Sequence, residues 1–248
     1  MRRLSFELYV VILLAAWAST SPAPGQTKAT VNQTTLEEAA QVTPEISTEE
    51  LKKILTTKSE PVLDVRSATE YAIAHIPGSV NVYEKELERV RQLFPDKAAQ
   101  FVLYCNGPYC GKSKRLSEQL VKLGYTKVRR YQLGLPIWRA LGNTVQTDLE
   151  GFHYVIAKDK TAVFVDARTA PEFAKDTIPG AVNIRSGEAE KANEDGRLPY
   201  RDKGTRVIVF ANSSDEARMV SEEIAKKAYW NSSYFGGTFA DLQRAHLW

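Results

Sequence analysis

Hydrophobic and polar positions change their rhythm several times along this chain. An unbroken apolar run, Leu8 to Ala18, follows Arg2 and Arg3, and residues 19–41 then show no apolar period. From Pro44 onward, short β-branched runs alternate with amphipathic stretches of helical spacing. In the first half the strand candidates are "PVLDV", "SVNV", "FVLYC" and "KVRRY". Between the last two, "KSKRLSEQLVKLG" carries Leu116, Leu120 and Leu123 at helical spacing and stops at Gly124, a residue suited to a left-handed C-cap. Nearer the start, "TEELKKIL" is preceded by Ser47, with Glu50 at capping-box spacing. Such alternation predicts an α/β fold with parallel sheets covered by helices on both faces. In sheets of that kind, sites form at the carboxyl ends of strands.

The pattern is written twice. "VLDVRSATEYAIAHIPGSVNV" at 62–82 returns as "FVDARTAPEFAKDTIPGAVNI" at 164–184. Asp64, Arg66, Glu70, Ile76-Pro77-Gly78 and Asn81 recur at one constant offset as Asp166, Arg168, Glu172, Ile178-Pro179-Gly180 and Asn183. This predicts a duplicated domain of about 100 residues. The expected boundaries are a signal peptide at 1–18, a flexible Ser/Thr/Pro-rich linker at 19–41, a first domain at 42–148 and a second at 149–248.

Composition removes some function classes. The net charge is +3 and no block of Lys and Arg covers a helix face, which speaks against nucleic-acid binding. The apolar run at the start is shorter than the roughly 20 residues a membrane span needs. With its basic start and the Ala16-Trp17-Ala18 cleavage pattern it reads as an export signal, without stable membrane insertion. The expected location is periplasmic or secreted. Thiols outside the cytoplasm tend to oxidise, so a reactive cysteine there needs a reason.

Both cysteines lie in "FVLYCNGPYCGKSKRL". Cys105 ends a strand, and the loop after it opens a helix, where backbone amides and the helix dipole favour a thiolate below the usual pKa of about 8.5. Asn106, Gly107, Tyr109, Gly111, Lys112 and Ser113 are the candidate binding residues of that loop. Two Cys without a neighbouring His pair cannot furnish four metal ligands, so no metal and no cofactor is expected. The Cys-x4-Cys spacing differs from the Cys-x2-Cys of thioredoxin-like sites.

"LDVRSATEYAIAHIPGSVNV", a Cys ending a central strand, and "YQLGLPIWRALG" together resemble a rhodanese-like domain, and the second copy resembles one too, over residues 43–248. The resemblance implies two small tandem α/β domains, each with a five-stranded parallel sheet. It also implies sulfane-sulfur transfer through a Cys105 persulfide, with thiosulfate or polysulfide as donor and a thiol as acceptor. The usual loop of the family is Cys, four residues, then often Arg. Here six residues separate Cys105 from Lys112, and alignment of the two copies gives the first loop two extra residues, with Lys112 opposite Glu216. A phosphatase on the same fold would want Arg where Gly111 stands. In the second copy Ala211 replaces the nucleophile and Thr177 replaces His75, so that domain reads as catalytically silent.

Asp64 is expected to brace the strand end, Arg66 and Glu70 to form a structural ion pair repeated at Arg168 and Glu172, His75 to serve as a hydrogen-bonding scaffold, and Trp138 to pack in the core. The leading expectation is an exported sulfurtransferase with Cys105 as nucleophile and Cys110 as resolving thiol. Two readings stay open beside it, a non-catalytic sulfur-binding or scaffold protein and a Cys105/Cys110 thiol–disulfide sensor. Exported material is expected to begin at Ser19 on N-terminal sequencing. An N-terminus at Met1 contradicts the export reading.

Overall fold

The computed structural model describes residues 30–248. The expected signal peptide and residues 19–29 of the expected linker lie outside the described residues. The first domain contains α1 (Thr48–Thr57), β1 (Val62–Asp64), α2 (Ala68–Ile73), β2 (Val80–Asn81), α3 (Leu87–Leu93), β3 (Gln100–Tyr104), α4 (Lys112–Lys122), β4 (Lys127–Tyr131) and α5 (Gly134–Ala140). The second follows with β5 (Val145–Thr147), α6 (Leu149–Lys158), β6 (Val163–Asp166), α7 (Ala170–Lys175), β7 (Val182–Asn183), α8 (Ala189–Glu194), β8 (Val207–Phe210), α9 (Ser214–Ala225), β9 (Ser232–Phe235) and α10 (Phe239–Arg244). All ladders within the two sheets are parallel, in the orders β2-β1-β3-β4 and β5-β9-β8-β6-β7.

Each central strand is apolar on both faces, as a parallel sheet under two helix layers requires. Along β3 the side chains alternate. Phe101, Leu103 and then Cys105 join Leu116, Leu120 and Tyr125 on the α4 side. Val102 and Tyr104 face Leu51, Tyr131 and Trp138 on the other. Cys105 therefore leaves the sheet on the α4 side, buried at 1% exposure.

Local signals explain the helix ends. Gly124 has φ +91° and its N–H reaches Val121 O at 2.9 Å, closing α4. Ser67 and Glu70 make a full capping box on α2, with Glu70 N–H on Ser67 Oγ and Ser67 N–H on Glu70 Oε2. At α1 the box is half made. Ser47 Oγ accepts the Glu50 N–H, but the Glu50 carboxylate turns to Arg129 of β4, because a cation is the stronger partner.

Three features depart from the sequence expectations. The first sheet has four strands, and its fifth member is reduced to a parallel bridge at Glu45, with Ile46 N–H on Arg130 O and Arg130 N–H on Pro44 O. The corresponding β5 of the second sheet is complete, although its residues fall within the expected first domain at 42–148. Residues 30–41 do not hang free as a flexible linker would. Leu36 N–H donates to Glu45 Oε2 at 2.8 Å, and Arg130 Nη2 donates to Glu38 Oε2 at 3.0 Å, so paired charges hold this part of the tract to the domain.

The two domains are joined by backbone as well as side chains. His75 and Gln146 exchange N–H···O bonds of 2.9 Å in an antiparallel bridge, Asp148 N–H donates to Ala72 O, and Thr147 Oγ1 donates to Ile73 O. Helices α2 and α6 cross so closely at Gly151 that a Cβ there would lie 2.0 Å from Ala72 O. Gly151→Ala is therefore expected to lose about 1–3 kcal/mol through overpacking of this crossing. Urea unfolding measures it, and an unchanged midpoint shows that the domains do not depend on the crossing.

Candidate active site

The enlarged loop begins as β3 ends. Gly107 takes φ +107° and Pro108 follows, so the chain turns back with Cys110 N–H on Gly107 O at 2.9 Å. The turn brings the carbonyl of Cys110 to the Cys105 sulfur, and Sγ donates to it at 3.1 Å. Ser113 Oγ lies 3.4 Å from the same sulfur at the start of α4. Both cysteines are free thiols, Cys105 buried and Cys110 half-buried.

From behind, the loop is held by "YQLGLPIW". Leu135 N–H donates to Cys105 O at 3.1 Å, and Gln132 Nε2 donates to Pro108 O at 3.1 Å. Gly134, at φ +62°, fits because a Cβ would lie 2.3 Å from Gly107 N and 2.5 Å from Cys105 O. Gln132 Oε1 also accepts from Ser113 Oγ and from the buried Arg130. The sequence reading missed Gln132, Gly134 and Arg130. Only the glycine inside an otherwise helical stretch signalled any of them.

From the front, the loop hangs on the end of β1. Arg66 donates from Nε to Asp64 Oδ1 at 2.9 Å and from Nη2 to Asp64 Oδ2 at 2.5 Å. Its Nη2 also reaches Ala74 O at 2.6 Å, and Nη1 reaches Asn106 Oδ1 at 3.2 Å. Asn106 Nδ2 then donates to Glu70 Oε1 at 2.5 Å, and Lys112 Nζ donates to Glu70 Oε2 at 3.1 Å. This corrects the expected Arg66–Glu70 ion pair. Pairing at i,i+4 needs both residues on one helix, and Arg66 precedes α2, so it turns to Asp64 while Glu70 takes Lys112. Asp64 accepts the Arg66 backbone N–H at 3.0 Å as well, which braces the strand end.

Burial alone would raise the Glu70 carboxyl, but hydrogen bonds from Ser67, Asn106 and Lys112 bring it down to about 2. His75 stacks on Tyr71 at 3.8 Å, donates from Nδ1 to Tyr71 O, and is held neutral by burial, as a scaffold residue would be. Trp138 is buried with Nε1 on Thr144 O. Of the other loop candidates, Tyr109 is fully exposed, and Gly111 caps α4 where a Cβ would meet the Arg115 guanidinium at 2.6 Å.

The thiol is not acidified as expected. Burial pushes Cys105 up to about 11, and the adjoining Cys110 thiol pushes in the same direction, while the Ser113 hydroxyl and N–H pull down. The loop turns a carbonyl toward the sulfur, and a carbonyl favours S–H over S⁻.

The second copy repeats the scaffold without the thiol. Arg168 binds Asp166 and reaches Asp176 O, and Asn212 donates to Glu172, as Arg66, Ala74, Asn106 and Glu70 do in the first. Phe239 N–H donates to Ala211 O just as Leu135 does to Cys105 O, so Ala211 stands in the nucleophile's place. Thr177 Oγ1 donates to Asp166 Oδ2. The Arg168 guanidinium lies 3.4 Å over the Phe239 ring, and Glu216 sits at the start of α9 where Lys112 stands on α4. Between the domains a cleft of about 780 Å³ is lined by residues including Lys52, Leu55, Trp138, Arg218 and Lys226, and Cys105 is not among them.

The family model described as Rhodanese-like domain matches residues 47–141 and 154–244. Over 72 residues, 28% of this chain and 66% of the other, the protein is 36% identical to the thiosulfate sulfurtransferase PspE of Escherichia coli. Over 100 residues, 36% of this chain and 86% of the other, it is 34% identical to the human thiosulfate:glutathione sulfurtransferase. It is also 33% identical over 82 residues, 33% of this chain, to the HTH-type transcriptional regulator Rv0324 of Mycobacterium tuberculosis, of which the match spans 35%.

The raised thiol has a measurable consequence. In Cys110→Ser protein, alkylation of Cys105 by iodoacetamide is expected to climb about tenfold per pH unit from 7 to 10, since only the growing thiolate fraction reacts. A plateau near the ordinary thiol value of about 8.5 would show that the amides of the loop outweigh burial.

Proposed function

Because the chain belongs to the rhodanese-like domain family, we propose that its first domain is an exported sulfurtransferase working through a Cys105 persulfide. The observation that carries this reading is the placement of the Cys105 sulfur. It stands at the carboxyl end of β3, with the Ser113 hydroxyl 3.4 Å away at the start of α4. Once Cys105 has lost its proton, its sulfur attacks the outer sulfur of a thiosulfate-type donor. The S–S bond of the donor breaks, sulfite leaves with the electron pair, and the persulfide anion remains facing Ser113. A polysulfide donor reacts in the same way, with a shortened polysulfide as leaving group. An acceptor thiolate then attacks the outer sulfur and returns Cys105 as thiolate.

Cys110 offers a second exit. The turn that sets its carbonyl against the Cys105 sulfur also keeps the two thiols in one loop. The Cys110 thiol passes its proton to the outer sulfur of the Cys105 persulfide anion, its sulfur attacks Sγ, and hydrosulfide leaves. The two cysteines are oxidised to a disulfide while the sulfane sulfur is reduced, and an external thiol reopens the ring. A bridge closing so few residues is strained and therefore readily reduced. The second domain, with Ala211 in the nucleophile's place, serves as a support.

Intact mass after incubation with thiosulfate or polysulfide tests the scheme. Wild type is expected to gain one sulfur atom, Cys105→Ser to gain none, and Cys110→Ser to keep the added sulfur longer. If Cys105→Ser retains the adduct and Cys110→Ser loses it, the nucleophile is Cys110. If no adduct forms on any of the three, the domain is a binding or scaffold module.

A further inference from the structure

Helix α5 begins against the reactive loop and ends at the junction with the second domain. Its Leu135 N–H is bonded to Cys105 O at 3.1 Å. Arg139 is four residues further on, over the same face of the helix. Helical side chains lean toward the N-terminus, so a long side chain at 139 is carried back toward the loop.

The guanidinium of Arg139 is unlike the other sequestered ones in this protein. Its Nε and Nη2 are buried and have no hydrogen-bond partner among the described residues. Arg66 faces Asp64, Arg168 faces Asp166, and Arg130 faces Glu38 and Glu45. Among the described residues Arg139 has no carboxylate within ion-pairing distance, and the charges acting on it are the two cations Arg206 and Arg66. Burial pushes it down to about 9, and those two neighbours push it further the same way. A buried cation with unpaired donors is costly to hold. An anion between these groups would relieve it.

The neighbours place the feature. Arg66 Nη1 holds Asn106, the residue after the reactive cysteine. Arg206 immediately precedes β8 of the second domain, with Nε fixed on Asp159 Oδ2 at 3.0 Å. Arg139 thus lies within reach of both the Arg66 corner and the second domain, with Nε and Nη2 covered although the residue as a whole is only half-buried.

We propose that Arg139 is the receptor for a small tetrahedral oxyanion, the sulfonate end of a thiosulfate-type donor or the sulfite that leaves it, in a site to which the second domain lends the positive charge of Arg206. This deepens, and rests on, the sulfur-transfer reading of Cys105. The planar guanidinium edge presents two parallel N–H groups, the arrangement that binds an oxyanion bidentately. The silent second domain then has a chemical part beyond support.

The test uses the full chain carrying Cys105→Ser, so that no sulfur moves and binding is read alone. Thermal shift and calorimetric titration with thiosulfate, sulfite and sulfate, against chloride at matched ionic strength, are compared with and without Arg139→Met. The parent is expected to be stabilised by the oxyanions beyond chloride, and Arg139→Met to bind them about tenfold or more weakly, the loss of a charge-assisted pair of hydrogen bonds. Arg139→Lys, which keeps the charge without the fork, should fall between. In oxyanion-free buffer Arg139→Met should melt no lower than the parent, since it removes an unpaired buried charge. A lower melting point there shows that the guanidinium is a structural group with a partner of its own, and the inference fails. It fails equally if Arg139→Met binds thiosulfate as the parent does, or if the parent responds to oxyanions no more than to chloride. Because Cys105 is absent throughout, oxyanion binding lost with Arg139 upholds the inference even where wild type forms no persulfide.

Discussion

The buried pair of Asp64 and Arg66 is the constraint on which the rest of the site depends. Asp64 is wholly buried and Arg66 nearly so, which puts two charges at the end of β1 where water cannot solvate them. Such a pair adds little net stability over an apolar replacement, but losing one partner strands the other at about 3–5 kcal/mol. The arrangement is therefore rigid rather than cheap. Beyond Asp64, Arg66 reaches two further acceptors, Nη2 on Ala74 O at the end of α2 and Nη1 on Asn106 in the reactive loop. One guanidinium fixes the start of the β1–α2 crossover, its end, and the residue beside the nucleophile. Asn81 completes the corner by donating to Asp64 O and Arg66 O.

The second copy separates scaffold from chemistry. Asp166, Arg168 and Asn183 rebuild the same corner at nearly the same distances, and Asn212 stands toward Glu172 as Asn106 does toward Glu70. Geometry kept without a thiol belongs to the fold. What the first copy has alone is the thiol pair, the two-residue-longer loop, and Lys112 in place of Glu216. Arg168 also stacks on Phe239, an aromatic face that Leu135 does not provide to Arg66.

Local chemistry was legible in the sequence, and long-range pairing was not. The α4 face of Leu116 and Leu120, its stop at Gly124, and the strands around Asp64 and Cys105 all follow from spacing within a few residues. The repeat made the second domain readable from the first. Arg66 and Glu70 recur together in the second copy, and recurrence does not distinguish a direct pair from one relayed through Asn106. Three-residue β5 carries too little pattern to assign to a sheet, and only pairing with β9 places it. Gln132 and Arg130 belong to the site through the pairing of β4 with β3, which sets them beside Cys105 and which no neighbouring residue announces.

The thiol's environment shows why the loop's length matters more than its composition. A short loop leading straight from strand to helix surrounds a sulfur with amide donors, which favour the anion. The two added residues here make room for the Gly107–Cys110 turn, and the turn points a carbonyl at Cys105. Burial raises the thiol first, the turn adds to that rise, and the turn also brings a second cysteine into the loop beside it. Anion stabilisation is then left to Ser113, whose hydroxyl is tied through Gln132 to the buried Arg130. Two side chains, Gln132 and Ser113, thus stand between that positive charge and the sulfur, on the side of the sheet opposite the Arg66 corner. The sulfur sits between two guanidinium-anchored networks, one holding the loop in front and one holding it behind, and neither guanidinium touches it directly.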